Sequence, residues 1–242
     1  MIKHFICAAL LLGSSVALAD RPVLAVAEFT NDATGATWWR SGVGYELSGM
    51  LTNELAAIDA FTMVERSQLE HVLREQDLGA SGRIRPDTAA QIGQLTGAGY
   101  IVTGTVTDYS ENTRRTGGGI NMRGISIGGR STNIGVGGDR TEAYIAVDIR
   151  VINATTGEIA HVRTVEGRTQ DGGISLRAQT GRFGGNLAHA SDTPAGEAIR
   201  AALIEITDYL ECEMVLQSSA CRAKYQERET TRRERTRSAI RF

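Results

Sequence analysis

Lysine is nearly missing from this chain: only Lys3 and Lys224 occur, and every other basic side chain except histidine is an arginine. Prolines and cysteines number three each in 242 residues, aromatic side chains make up 5%, and there are four histidines. No apolar run approaches the ~18 residues that a transmembrane helix needs, so any membrane crossing would have to be built from strands. His4, His71, His161 and His189 share no metal-ligand spacing; His71 reads as an exposed helix residue and His161 as an exposed strand residue. No G-x-S-x-G elbow is present. Gly117–Gly119 is not followed by Lys-Ser/Thr and does not open a helix, which excludes a phosphate loop. Glu65 and Arg66 read as structural contacts at a helix entrance. These shortages argue against an enzyme, and no metal or cofactor is expected.

What is present begins with an export signal. Lys3 supplies a basic start, Phe5–Leu12 an apolar core, and Val16-Ala17-Leu18-Ala19 a small-x-small cleavage site, so a signal peptide over 1–19 and a mature start at Asp20 are expected. Cys7 leaves with that peptide. Cys212 and Cys221 remain, and in an oxidising periplasm they are candidates for a disulfide closing a small loop; the other reading is a pair of free thiols. Charge is uneven. Residues 20–221 hold 17 basic and 25 acidic side chains, whereas residues 222–242 hold eight basic and three acidic. The Arg-rich tail, 217–242, brings no aromatic stacking platform and is expected to be exported, so nucleic acid is not an expected partner. It reads as a solvated helix end or a frayed terminus, with anionic lipid headgroups as one contact open to it.

The chain between reads as α+β, a mixed sheet with flanking helices. Val23–Phe29 alternates as a buried strand, and Thr30–Gly35 is a polar turn. Over 42–58, Val43, Leu47, Met50, Leu51, Leu55 and Ile58 fall on one helical face. Phe61–Val64 is a short strand. Ser67–Gln76 forms a second helix with Leu69, Val72 and Leu73 inward, opened by a capping box of Ser67 and Glu70. Pro86 fits the first turn of a third helix over 87–95. Strands follow over 100–109 and 143–151, then a turn over 153–157 and a returning strand over 158–168. Thr193–Leu216 is a helix with Ile199, Leu203, Ile206, Leu210 and Met214 inward and Pro194 in its first turn.

Two glycine-rich segments interrupt this pattern. Gly117–Gly138 holds nine glycines in twenty-two residues, and a second such stretch runs over 172–189. Membrane strands need roughly 9–11 residues with alternating faces. Ile174, Leu176 and Ala178 alternate with Ser175, Arg177 and Gln179; Gly181–Gly185 is a turn, and Leu187 lies on the return arm. In the first segment Ile134 and Val136 alternate, but Ile120 and Met122 are out of phase with Ile125 and Ile127 unless a bulge lies near Arg123-Gly124. Ile120, Met122, Ile134, Val136, Ile174, Leu176 and Leu187 are the candidates for a lipid-facing surface. Arg114, Arg115, Arg123, Arg130 and Arg140 would then face a lumen or an interface. A glycine-rich loop, or a hairpin in water, is the other reading of both segments. Such a hairpin cannot close its own edges, so spanning requires a ring of subunits.

Three stretches carry a resemblance. DIRVINATTGEI over 148–159 is similar to the strand-turn-strand R-V-V-N-x-x-T-G-E-I of the CsgG/HfaB family, the outer-membrane secretion channels of curli and holdfast-anchor systems. YIVTGTVTDYS over 100–110 resembles that family's G-S-I-x-x-Y strand. FTMVERSQLEHVLRE over 61–75 resembles its E-R-x-x-L-x-x-L-L-x-E helix. They occur in family order, and the resemblance covers roughly 23–215. It implies a domain over 20–216 with two inserted β-hairpins, about 113–142 and 169–192. It also implies a homo-oligomeric, nonameric ring in the outer membrane in which each subunit lends two hairpins to one barrel. Unfolded fibre or adhesin subunits would pass through by diffusion, helped by a periplasmic accessory protein. Two departures stand out. The family's acylated first cysteine is replaced by Asp20. The family's pore-narrowing loop corresponds to a shorter 36–44, where Trp38, Trp39 and Arg40 are the candidates for a constriction; the tryptophans alternatively cap the first helix against the sheet. A CsgG-like scaffold or activator in the soluble periplasm is the second reading of the whole chain.

Overall fold

The computed structural model describes residues 21–115, 126–127, 130–131, 139–169 and 193–240. The lipid-facing candidates Ile120, Met122, Ile134, Val136, Ile174, Leu176 and Leu187 lie outside them, as does the expected signal peptide.

The central sheet has the order β3-β1-β4-β7-β8, with β2 also on β4. Here β1 is Val23–Val26, β2 Thr30–Asn31, β3 Thr62–Met63 and β4 Tyr100–Arg115. Two short strands, β5 (Ser126–Ile127) and β6 (Arg130–Ser131), pair with each other. The strands β7 (Asp139–Asn153) and β8 (Ile159–Arg168) complete the sheet. β1 runs parallel to β3 and β4, while β4, β7 and β8 are antiparallel. α1 (Val43–Ala57) lies in the connection to β3, and α2 (Leu69–Ala80) in the crossover from β3 to β4. α3 (Pro194–Glu211) continues through a π-helical turn, Cys212–Leu216, and α4 follows over Ser219–Ala239.

The alternation in β4 and β7 has its expected consequence. Val102, Gly104 and Val106 share a buried face with Ile145, Val147, Ile149 and Val151, against Leu47, Leu51 and Leu55 of α1 and Ile199, Leu203, Ile206 and Leu210 of α3. Burying one such side chain stabilises by about 1.5–3 kcal/mol, which is why this layer holds the domain together. Gly104 and Gly167 are where backbones approach. A Cβ on Gly104 would lie 2.3 Å from the Phe29 ring. On Gly167 it would collide with the Ala198 carbonyl of α3. The turn between β7 and β8 is built by Asn153, whose Oδ1 accepts from Thr155 N at 2.9 Å and Thr156 N at 3.2 Å, while Gly157 takes φ 74°.

Several expectations are corrected. Thr30 and Asn31 form β2 rather than a turn, pairing with Thr105 and Val106. Val72 and Leu73 are exposed, at 39% and 43%; the inner side of α2 is used instead by Gln76, which donates to the Gln91 carbonyl at 3.2 Å, and by Gly79 beside Ala90. The capping box does not form. Glu65 Oε1 accepts from Ser67 N at 2.6 Å and Gln68 N at 3.3 Å, so the carboxylate two residues upstream takes the capping role. The helix over 87–95 is replaced by turns: Gly93 stands at φ 85°, and Ile92 is 64% exposed, so no packing rewards a helix there. Ile58, at 38%, also faces out. His161 is half-buried, and burial pushes its imidazole below the ordinary value of 6.5. The tail is a helix, α4, docked through the buried Tyr225.

Candidate functional site: the insertion end of the sheet

β4 and β7 pair continuously from Tyr100↔Asn153 to Arg115↔Asp139, but β8 stops at Arg168↔Tyr144. From Asn112↔Glu142 outward the sheet is a two-stranded ribbon. Its four pairs add about 14 Å at the usual rise per residue. A bulge between Val106 and Asp108 sets the ribbon's phase. The extra residue, Thr107, leaves Val106 and Tyr109 on the same buried face although they are three apart.

The second glycine-rich segment leaves from the same end. Thr169 prolongs β8 by one rung: its N–H donates to the Ala143 carbonyl at 3.0 Å, and its Oγ1 accepts from Ala143 N at 2.7 Å. The chain returns at Thr193, whose side chain caps α3 by accepting from Gly196 N at 3.1 Å, with Pro194 at the first helical position. The first turns of α3 lie over Gly167. Both segments are thus rooted side by side at one end of the sheet, on an edge strand and on the ribbon next to it.

The loop carrying Trp38, Trp39 and Arg40 sits at this end too. Asp32 N and Ala33 N donate to the Val106 carbonyl at 2.8 and 3.2 Å, which pulls the loop onto β4. Gly35 passes so close to the Tyr109 carbonyl that a Cβ would lie at 2.8 Å. Trp38 meets the Tyr109 ring edge-on at 5.6 Å, and Trp39 lies 5.6 Å from Trp38. Both indoles are half-buried against the core. Arg40 pairs with Glu46 at 3.4 Å. Tyr109 donates to Glu111 Oε2 at 2.8 Å, and burial followed by that carboxylate raises the phenol above its ordinary range. The tryptophans form a packed shoulder at the foot of the ribbon.

α4 is fastened to β8. Cys212 and Cys221 form a disulfide, with Cα atoms 6.0 Å apart, across the π-turn. Arg163 of β8 lies over the rings of Tyr209 and Tyr225 at 5.3 and 4.8 Å and donates to the Tyr225 carbonyl at 3.1 Å. Sequence reading misses this cluster, because its members are dispersed along the chain and no periodicity joins them. Among the described residues no group of histidine, cysteine or acidic side chains could hold a metal ion, and no helix is long and apolar enough to cross a membrane.

Comparison with known proteins adds the following. No curated protein matches the chain. Among solved structures it is similar to the hypothetical protein CT253 of Chlamydia trachomatis, at 14% identity and a TM-score of 0.42, over 80% of this chain and 97% of that one. It is also similar to the PelC dodecamer of Paraburkholderia phytofirmans, at 12% and 0.35, over 78% and 88%. Lipoprotein GNA1162 of Neisseria meningitidis follows at 11% and 0.34, over 64% and 88%. The family profile described as curli production assembly/transport component CsgG matches residues 9–240. That match spans nearly the whole sequence, and the chain therefore belongs to the CsgG family.

Proposed function

We propose that this chain is the subunit of an oligomeric outer-membrane channel that exports extracellular fibre or adhesin subunits. One observation carries the reading: both glycine-rich segments are rooted at the same end of the sheet, and the first continues from a ribbon that already extends past the edge strand. Two hairpins leaving one end of a finished domain suit a barrel wall, and neighbouring copies would pair their free edges. The α/β body stays in the periplasm, and Trp38 and Trp39 stand at the foot of the wall. Transport is by diffusion, and no catalytic step is assigned to any side chain. Membership of a family described by curli assembly and transport supports an envelope location and a role in assembly or secretion. The packing of Trp38 on Tyr109 favours a second reading, in which the loop is purely structural and the chain is a scaffold in the soluble periplasm. Extraction of the full chain from outer membranes in detergent, followed by negative-stain imaging, separates the two. Rings with a stain-filled centre are the expected result. Recovery only as a monomer in the soluble periplasmic fraction would overturn the channel.

A further inference from the structure

β8 is the last strand on its side of the sheet, so one side of its backbone has no strand beside it. Register decides which groups face that way. Thr169 N–H donates to the Ala143 carbonyl, and in an antiparallel ladder the bonded pairs recur at every second residue. Gly167 and Val165 therefore turn their N–H and C=O groups to β7, while Val162, Thr164 and Glu166 turn theirs outward. The Val162 carbonyl fits this phase, because it accepts from the Tyr209 hydroxyl at 3.4 Å. The main-chain N–H and C=O groups of Thr164 and Glu166 meet no partner among the described residues.

α4 lies beside this edge without closing it. A cleft of about 590 Å³ separates the two, lined on the strand side by Arg163, Thr164, Val165 and Glu166. Successive side chains of a strand point to opposite faces, so four in a row line one cleft only along the strand's edge. The helix side is lined by Lys224, Glu227, Arg228, Thr231, Arg232 and Arg235, which recur at three and four residues and so share one face of α4. Some of the charge is spent. Arg228 is paired with Glu205 of α3, Arg232 with Glu229, and Glu166 with Arg168. Arg163 is stacked on two tyrosines and donates to the Tyr225 carbonyl. Lys224 and Arg235 are exposed and enter no ion pair among the described residues, against one such carboxylate, Glu227.

We infer that this cleft binds an extended acidic segment of another protein, taken up as an added strand on β8. The outward groups of Thr164 and Glu166 supply the main-chain bonds, and Lys224 and Arg235 supply the complement to its carboxylates. Lys224 and Arg235 stand about 17 Å apart along the helix axis, the length of about five residues of a strand. A helix laid against a sheet edge often serves to shield it. Shielding needs neither an open cleft nor unpaired cations at it. An anionic lipid surface would use the cations but not the paired donors and acceptors two residues apart on β8, and this favours a peptide. Such binding requires no channel and goes beyond the function proposed above.

The test uses the full chain in detergent and a fluorescein-labelled heptapeptide of alternating glutamate and valine, with binding read by fluorescence anisotropy. Saturable binding is expected. Lys224→Glu with Arg235→Glu is expected to weaken it about tenfold or more, with circular dichroism as the check on the fold. Thr164→Pro deletes one outward N–H and no bond to β7, and is expected to weaken binding about tenfold. Thr164→Val, which loses only the hydroxyl's bond to Asp148, is expected to leave binding unchanged. Two further peptides carry N-methyl groups on alternate backbone nitrogens, one in each phase. Only one edge of an added strand faces β8, so methylation in one phase is expected to abolish binding and in the other to spare it. Absence of saturable binding to the wild type, equal affinity for the two methylated peptides, or an unchanged affinity in the doubly charge-reversed variant each overturns the inference. Phosphatidylglycerol vesicles that bind through Lys224 and Arg235 while the peptide does not would also overturn it, and would assign the cations to a membrane surface.

Discussion

α1 and α3 are held by burial, whereas α2 and α4 are held by fasteners. Leu47, Leu51 and Leu55 of α1 and Ile206 and Leu210 of α3 are at most 2% exposed. α2 buries only Gln76, and α4 only Tyr225. The outer pair is instead attached by Tyr45 of α1, whose hydroxyl donates to the Ser67 carbonyl and accepts from Gln68 Nε2 at the start of α2, by the Cys212–Cys221 bridge, and by Arg163 stacked on two tyrosines. An apolar stripe in the sequence thus does not tell whether this chain covers it.

The contrast can be broken most strongly in the inner layer. Leu51→Ala leaves a cavity under α1 in the fully buried core, and denaturant unfolding is expected to show a loss of about 2–5 kcal/mol. Cys221→Ser releases a loop of nine residues' separation and is expected to cost about 2–3 kcal/mol, read in the same assay as earlier loss of the α4 helix signal. A smaller effect is expected from acid. Arg232 first, then Arg233, hold the Glu229 carboxyl down from 4.5 to about 2 by hydrogen bonding. A carboxylate with a depressed folded value contributes stability above its unfolded value and loses it as pH falls, so helix content of α4 should decline between pH 4.5 and 2. Glu229→Gln should remove that step, as circular dichroism in a pH series would reveal. Smallest of all, Leu73→Ala on α2 is expected to change the unfolding free energy of the chain by no more than about 0.5 kcal/mol. A large loss there would mean that α2 belongs to the inner layer after all.

Elements whose signal is local were legible in the sequence. The β7 alternation, the Asn153–Gly157 turn and the inward face of α3 depend on side chains and backbone a few residues apart, and each stands close to its expected place. The misreadings share a cause. Leu69, Val72 and Leu73 have helical spacing, but the neighbouring segment meets α2 only a turn further on, at Gln76 and Gly79, and leaves Val72 and Leu73 uncovered. The periodicity around Ile92 and Leu95 would suit a helix, but Gly93 at φ 85° and the lack of anything to bury them against leave turns. Ser67 and Glu70 spell a capping box, yet Glu65 reaches the free N–H groups first. At the candidate site, the tryptophan pair was visible as a pair; its seat on Tyr109 was not, because it depends on a bulge at Thr107 and on the loop's bonds to Val106.

By itself the sequence determined the periodicities, the turn chemistry and the family, since these rest on the residues and their order along the chain. The tertiary structure alone decided which faces are covered, that both glycine-rich segments share one end of the sheet, and that the Arg-rich tail is strapped to β8. Those are matters of register and of contact between residues far apart in the chain, as with Arg163 and Tyr225, and local pattern holds no information about which distant backbone will arrive to meet it.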